Sequence, residues 1–273
     1  MRKPMTIAAL AIALFLAPGM AAPGIDQGLE LLSPRSFWPD EPGTVLTFKG
    51  TQRYHDAVVV REISYTQEFL GLAVIDGIEV QETHERLEVV QAGEKYRVES
   101  RWFQVVDDDL IRVVGFQMED QNEPTIFDDG GEIVLRRPLE EGEEWQNTST
   151  EMFLLAQDDE VKDFRSRCRI VGTDQVIRVA AGEFAGCLVT RSVGMTEGTF
   201  QVFDAEGRPQ AAYIEHSVER AFAPGLGWIR TVKRERAVPA THPHRTLAHV
   251  VYRSELFRID KKQDSSSKSL SGD

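Results

Sequence analysis

The sequence predicts an all-β fold, mostly antiparallel, with few helices. From Thr44 onward, strand-length segments carry one apolar and one wet face. Tyr96, Val98 and Trp102 alternate with Arg97, Glu99 and Arg101, and Ile214, Val218 and Phe222 alternate with Glu215, Ser217 and Glu219. Turn-forming residues fall between these runs at hairpin spacing: Asp76-Gly77, Ala92-Gly93, Asp107 to Asp109, Asp129-Gly130-Gly131, Asp158-Asp159 and Glu206-Gly207. No stretch sustains a 3.6-residue apolar period over three turns.

Taken in order, the chain opens with Arg2 and Lys3, an apolar run from Ile7 to Leu16, then Pro18, Gly19, Ala21 and Ala22. This is the charged, apolar and small-residue pattern of a cleavable signal peptide over residues 1–21. The run is well short of the ~20 residues a membrane span needs. Residues 22–43 are rich in Pro and Gly and read as an irregular arm lying across the domain, with at most a helical turn near Gly28 to Leu32. The antiparallel β domain is expected over 44–260. Between Pro138 and Trp145 the acidic segment Glu140-Glu141-Gly142-Glu143-Glu144 reads either as a boundary between two strand-rich halves or as a long connection within one sheet. The Ser-rich tail, 261–273, has the composition of a disordered segment.

The formal charge of −13 becomes −15 once Arg2 and Lys3 are removed with the signal peptide, which disfavours nucleic acid and anionic lipid surfaces as partners. With export, the expected location is the periplasm or the secreted fraction, with no transmembrane segment in the mature chain. The two cysteines, Cys168 and Cys187, then read first as one disulfide, provided the fold brings their Cα atoms within ~4.4 to 6.8 Å. In Phe164 to Val171 the residues Arg165, Arg167 and Arg169 share one side of a strand and Phe164, Cys168 and Ile170 the other, so Cys168 faces the core.

Three segments of the second half carry a resemblance: Pro138-Leu139 with Gly142 and Trp145; Val179-Ala180-Ala181-Gly182-Glu183-Phe184-Ala185-Gly186-Cys187-Leu188-Val189; and Phe222-Ala223-Pro224-Gly225-Leu226-Gly227-Trp228-Ile229. Together they resemble a set of uncharacterised bacterial periplasmic and envelope β-proteins with V-x-V-P-A-G-x-F-x-x-C-L-x-V and A-P-G-V-G-x-V motifs. Ala180 replaces that set's usual Pro, and Leu226 its usual Val. The resemblance spans roughly Pro138 to Lys233. It implies a curved, half-open barrel or sandwich-like sheet around an apolar groove, similar in shape to lipoprotein carriers of the LolA type. It also implies Phe184, Phe222 and Trp228 as candidate ligand-binding residues. Read physically, the same motifs are turn chemistry: Gly182 and Gly186 relieve tight reversals, and Pro224-Gly225 and Gly227 shape a hairpin, with the aromatics filling the core.

No catalytic constellation is recognised: no nucleophile elbow, phosphate loop, dinucleotide fingerprint or EF-hand. In His84-Glu85-Arg86-Leu87-Glu88, Glu88 stands where a zinc-protease motif needs a second His, on a stretch that reads as strand. His242, His244 and His249 read as solvated loop histidines, and the acidic turns at Asp107 to Asp109, Asp128-Asp129 and Asp158 to Glu160 as hairpin tips. Asn147-Thr148-Ser149 matches a glycosylation acceptor, which has meaning only in a eukaryotic secretory pathway. No catalytic residue, metal ligand or cofactor is therefore assigned. The leading expectation is a non-enzymatic exported β-protein binding an apolar small molecule, lipid or envelope component in a concave sheet. One alternative is an envelope assembly protein that joins a partner protein through a sheet edge. The other is an envelope-polymer hydrolase, which would need two carboxylates facing each other across a groove.

Overall fold

The structure, a computed structural model, describes residues 32–54, 60–91, 93–127, 130–156, 159–204, 206–241 and 244–262. The expected signal peptide, the turn near Gly28 and nearly all of the Ser-rich tail lie outside them. Lys261, assigned to that tail, is the last residue of a strand.

Among the described residues fourteen strands form one large antiparallel sheet that is not closed into a barrel. The first half supplies β1 (Thr44–Tyr54), β2 (Val60–Ile75), β3 (Ile78–Gln91), β4 (Glu94–Val106), β5 (Leu110–Met118), β6 (Thr125–Ile126) and β7 (Glu132–Arg136). The second supplies β8 (Glu144–Phe153), β9 (Asp159–Val179), β10 (Gly182–Met195), β11 (Phe200–Phe203), β12 (Pro209–Ala223), β13 (Gly227–Pro239) and β14 (Ala248–Lys261). The main path runs β6-β5-β4-β3-β2-β1-β14-β13-β12-β10-β9-β8, with β7 on β5 and β11 on β12. The acidic segment before Trp145 links β7 to β8, and β1 pairs with β14 along its whole length, so both halves belong to one sheet.

The turns follow their residues. Asp76 and Gly77, at φ +50° and +79°, are the two residues between β2 and β3 and give the left-handed pair that a tight hairpin requires. Gly225 and Gly227, at φ +70° and +80°, shape the β12–β13 reversal.

Strand alternation divides the sheet into an inner, buried face and an outer, wet one. The main core gathers Leu46, Phe48, Phe69, Ile170, Leu188 and Phe222 with their neighbours. A second cluster at the other end holds Phe153, Phe164, Ile214, Ala237 and Val250. A short 3-10 turn at Pro34–Phe37 carries the arm into the main core: Phe37 and Trp38 are almost wholly buried, and Trp38 meets Phe69 and Trp228 edge-on at 6.1 and 5.5 Å. The arm is tied to both halves, through Ser33 Oγ donating to Asp108 at 2.8 Å and Gly225 N donating to the Ser36 carbonyl at 2.8 Å.

Where the ends of the rolled sheet meet, β7 and β8 are not paired by their backbones. Buried Asn147 substitutes for a strand neighbour: its Oδ1 accepts the Ile133 N–H at 3.1 Å, and its Nδ2 donates to the Ile133 carbonyl at 2.8 Å. Trp145 Nε1 donates to the same carbonyl at 3.2 Å. One amide side chain thus satisfies the N–H and the carbonyl of a single residue, Ile133, both of which would otherwise face an open seam. The Asn of the glycosylation match is accordingly a buried structural residue.

Candidate functional site

Phe184, Phe222 and Trp228 lie together, but in the core. Phe222 is fully buried, Phe184 and Trp228 are half-buried against the same cluster, and Phe222 packs edge-on to Trp228 at 6.4 Å. Trp38 covers Trp228 from the arm, so these aromatics fill space rather than line it.

Cys168 and Cys187 are both free, buried thiols, which corrects the expected disulfide. The register explains why. Cys168 pairs with Ser192, whereas Cys187 pairs with Gln175, five positions away along β10, roughly 16 Å at the rise of a strand. Cys168 Sγ instead accepts from Asn147 Nδ2 at 3.4 Å, and Cys187 Sγ donates to the Phe184 carbonyl at 3.3 Å. Burial pushes both thiols up, Cys187 to about 11, so neither is a reactive nucleophile.

The other singled-out residues have local explanations. His84 sits on strand β3 with Nε2 3.1 Å from Glu99 Oε2, not on a helix with Glu88. Asp107 Oδ1 accepts the backbone N–H groups of Asp109 and Leu110 at 2.8 and 2.7 Å, a turn closure rather than a cation cage. His244 is exposed and His249 half-buried. Residues 242–243, 128–129 and 158 lie outside the described residues, and the side chains of Asp159 and Glu160 are likewise not described. Among the described residues no three His, Cys, Asp or Glu side chains gather as metal ligands would.

Between the two apolar clusters the inner face carries a polar belt that the sequence did not disclose. Tyr65 stacks on Phe48 with ring centroids 4.4 Å apart and accepts from Trp228 Nε1 at 3.3 Å. Glu85 accepts from Gln67 Nε2 at 2.5 Å, and Arg220 Nη1 pairs with Glu132 at 3.1 Å. Burial raises the Glu85 carboxyl against the pull of Gln67 and Arg220, and raises Tyr252 to about 12. Gly50, on β1, has no room for a side chain: a Cβ there would come within 2.2 Å of the Arg253 carbonyl. A carboxyl with a raised pKa is the mark of a general acid, yet the charge acting on Glu85 is that of Arg220, not of a second carboxylate across a groove.

Deeper in the second cluster, His216 lies between Phe153 and Phe164, at centroid distances of 5.4 and 5.5 Å, and neither ring nitrogen has a hydrogen-bond partner. Gly194 makes room for this stack: a Cβ there would strike the Phe164 ring at 2.5 Å. Burial, then Lys233 and Arg220, hold His216 well below the usual imidazole range, so it is neutral. Glu235, its cross-strand partner, turns its carboxylate to the N–H groups of Leu154 and Leu155 at 3.2 and 3.0 Å and pairs with Lys233 at 3.3 Å.

The outer face offers an accessible groove. Across β9, β10, β12, β13 and β14, the residues Arg167, Val193, Ser217, Arg234 and Val251 stand in direct register, forming one row perpendicular to the strands. They line a groove of about 720 Å³ together with Met195, Glu215 and Arg236. Val193 and Met195 are 38% and 54% exposed, an apolar floor open to solvent. Arg236 grips both oxygens of Glu215 at 2.8 and 2.9 Å. Arg167 and Arg234 have no carboxylate partner among the described residues. The sequence signal was the Arg165, Arg167, Arg169 alternation, but which arginines keep a free guanidinium depends on register with β10, β12 and β13.

No family model matches the chain, and no curated protein matches it. Among solved structures it is similar to an inferred exported protein with a YMCC-like fold from Bacteroides fragilis NCTC 9343, at 12% identity and a TM-score of 0.32, over 82% of this chain and 99% of that one. It is also similar to an inferred lipoprotein from Parabacteroides distasonis ATCC 8503, at 12% identity and a TM-score of 0.34, over 84% and 99%. At these scores neither likeness bears on function.

Proposed function

We propose that this chain is an exported, non-catalytic β-protein that holds a ligand or envelope component in the groove on the outer face of β9 to β14. The observation that carries the reading is the pair of uncompensated guanidiniums, Arg167 and Arg234, flanking an exposed aliphatic floor. An aliphatic floor left in water and flanked by charges without partners is characteristic of a site completed by something else. The inner face supports binding less, because Phe222 and the aromatics around it are packed against one another. Export is supported by the signal-peptide pattern and places the mature chain in the periplasm or outside the cell.

Partner recognition by strand addition has less support. The outermost strands β6 and β11 have only two and four residues, and the edges of β7 and β8 are stitched to each other through Asn147. Native mass spectrometry of the protein purified from its own compartment tests the proposal, beside a Ser217→Trp variant that fills the middle of the groove. A bound mass present in the parent and absent from the variant is expected. A bound mass that survives Ser217→Trp would move the site elsewhere.

A further inference from the structure

We infer that the outer groove takes single molecules of an anionic amphiphile, a carboxylate or phosphate head carrying one acyl chain. This deepens the reading of the groove as the ligand site and rests on it.

The floor sets the apolar half of the ligand. Val193, Met195 and Val251 present aliphatic surface to solvent, and a flexible chain laid over it takes that surface out of water. The guanidiniums set the other half. Arg167 and Arg234 are three strands apart in the same row, about 14 Å at the usual strand spacing, with Val193 and Ser217 between them. A head group held at either arginine leaves its chain lying along the floor. Of the two acids along the groove, Glu215 is neutralised by a two-pronged bond from Arg236, and Glu235 turns its carboxylate away to the Leu154 and Leu155 N–H groups and to Lys233, so neither is left unpaired against an anion.

The size of the ligand follows from charge and volume. The whole chain carries −13, so a bilayer rich in anionic lipid is repelled by the molecule as a whole. A single small anion senses chiefly the charges within about 10 Å, which here are the unpaired Arg167 and Arg234 beside the glutamates Glu215, Glu219 and Glu235, each already paired with a cation. A groove of about 720 Å³ has the volume of a site for one small ligand.

Isothermal titration of the full chain with decanoate, decanol and butanoate tests the inference. Decanoate is expected to bind one to one, decanol at least tenfold more weakly, and butanoate without measurable heat. Arg234→Gln and Arg167→Gln, both surface changes that leave the unfolding midpoint in place, are each expected to weaken decanoate by about five- to tenfold and leave decanol unaffected. Equal affinity for decanol and decanoate, or no effect of either arginine change, overturns the anionic ligand while leaving a groove that binds apolar molecules. Decanoate binding that persists in Ser217→Trp overturns the groove itself. The absence of decanoate binding, or co-sedimentation with phosphatidylglycerol vesicles without it, overturns the single-molecule ligand.

Discussion

Replacing Phe222 with alanine separates a packing role from a ligand-lining one. The side chain is fully buried, sits edge-on to Trp228 and belongs to the main core, so its removal leaves a cavity with no route for water to fill it. Truncations of this kind cost about 3–5 kcal/mol, of which the lost aromatic pair accounts for roughly 0.5–1.5 kcal/mol. With a urea m-value near the upper end of the usual range, about 3 kcal/mol/M, the midpoint of unfolding should fall by roughly 1–1.5 M. The assay is urea unfolding followed by tryptophan fluorescence, with decanoate titration of the folded variant alongside. Phe184→Ala, at a half-buried position, should lose about half as much. A midpoint shift below about 0.3 M, or abolished ligand binding in a Phe222→Ala protein that remains folded, would refute the placement of this residue in a filled core.

Asn147→Leu keeps the volume but leaves the Ile133 N–H without its acceptor, and should cost about 1–3 kcal/mol. Amide exchange at Ile133 should accelerate far more than at Leu188 in the core, and equal acceleration would contradict the seam. His216 is neutral when folded but takes up a proton near pH 6.5 when unfolded. Stability is therefore fully present above that pH and falls below it, by at most about 1.4 kcal/mol per pH unit from this residue. His216→Phe should flatten the profile between pH 6.5 and 5, measured by denaturant midpoints against the parent, and parallel profiles would count against a buried neutral ring. Cys168 and Cys187 should stay unlabelled by a thiol reagent in the native protein and give two modified thiols in denaturant without reductant. A mass two hydrogens lower would show the bridge that the register forbids.

Much of the fold was legible because a strand's two faces are written in its residues. The alternation at Phe164 to Ile170 placed Cys168 inward, and the Asp76-Gly77 pair located its hairpin. What alternation cannot give is register between strands. The register of the β9–β10 hairpin, which its bulges shift by only a residue, decides that Cys168 and Cys187 are far apart. The same pairings decide that Arg167 and Arg234 share a row, while Arg191 and Arg236 find Glu219 and Glu215. Phe184, Phe222 and Trp228 stand beside glycine-flanked hairpins in the sequence, but local sequence does not reveal that Trp38, nearly two hundred residues before Trp228, packs against that ring. Asn147 was visible only as a glycosylation match, since a side chain that completes a sheet leaves no periodic trace.

Methyl NMR of the protein titrated with decanoate addresses the central claim, that ligand is held on the outer face while the inner face is filled. Shifts confined to Met195, Val193 and Val251, with Leu188, Ile229 and Leu256 unmoved, are the result this account predicts. Shifts centred on Leu188, Ile229 and Leu256 would place the ligand inside the sheet and contradict it.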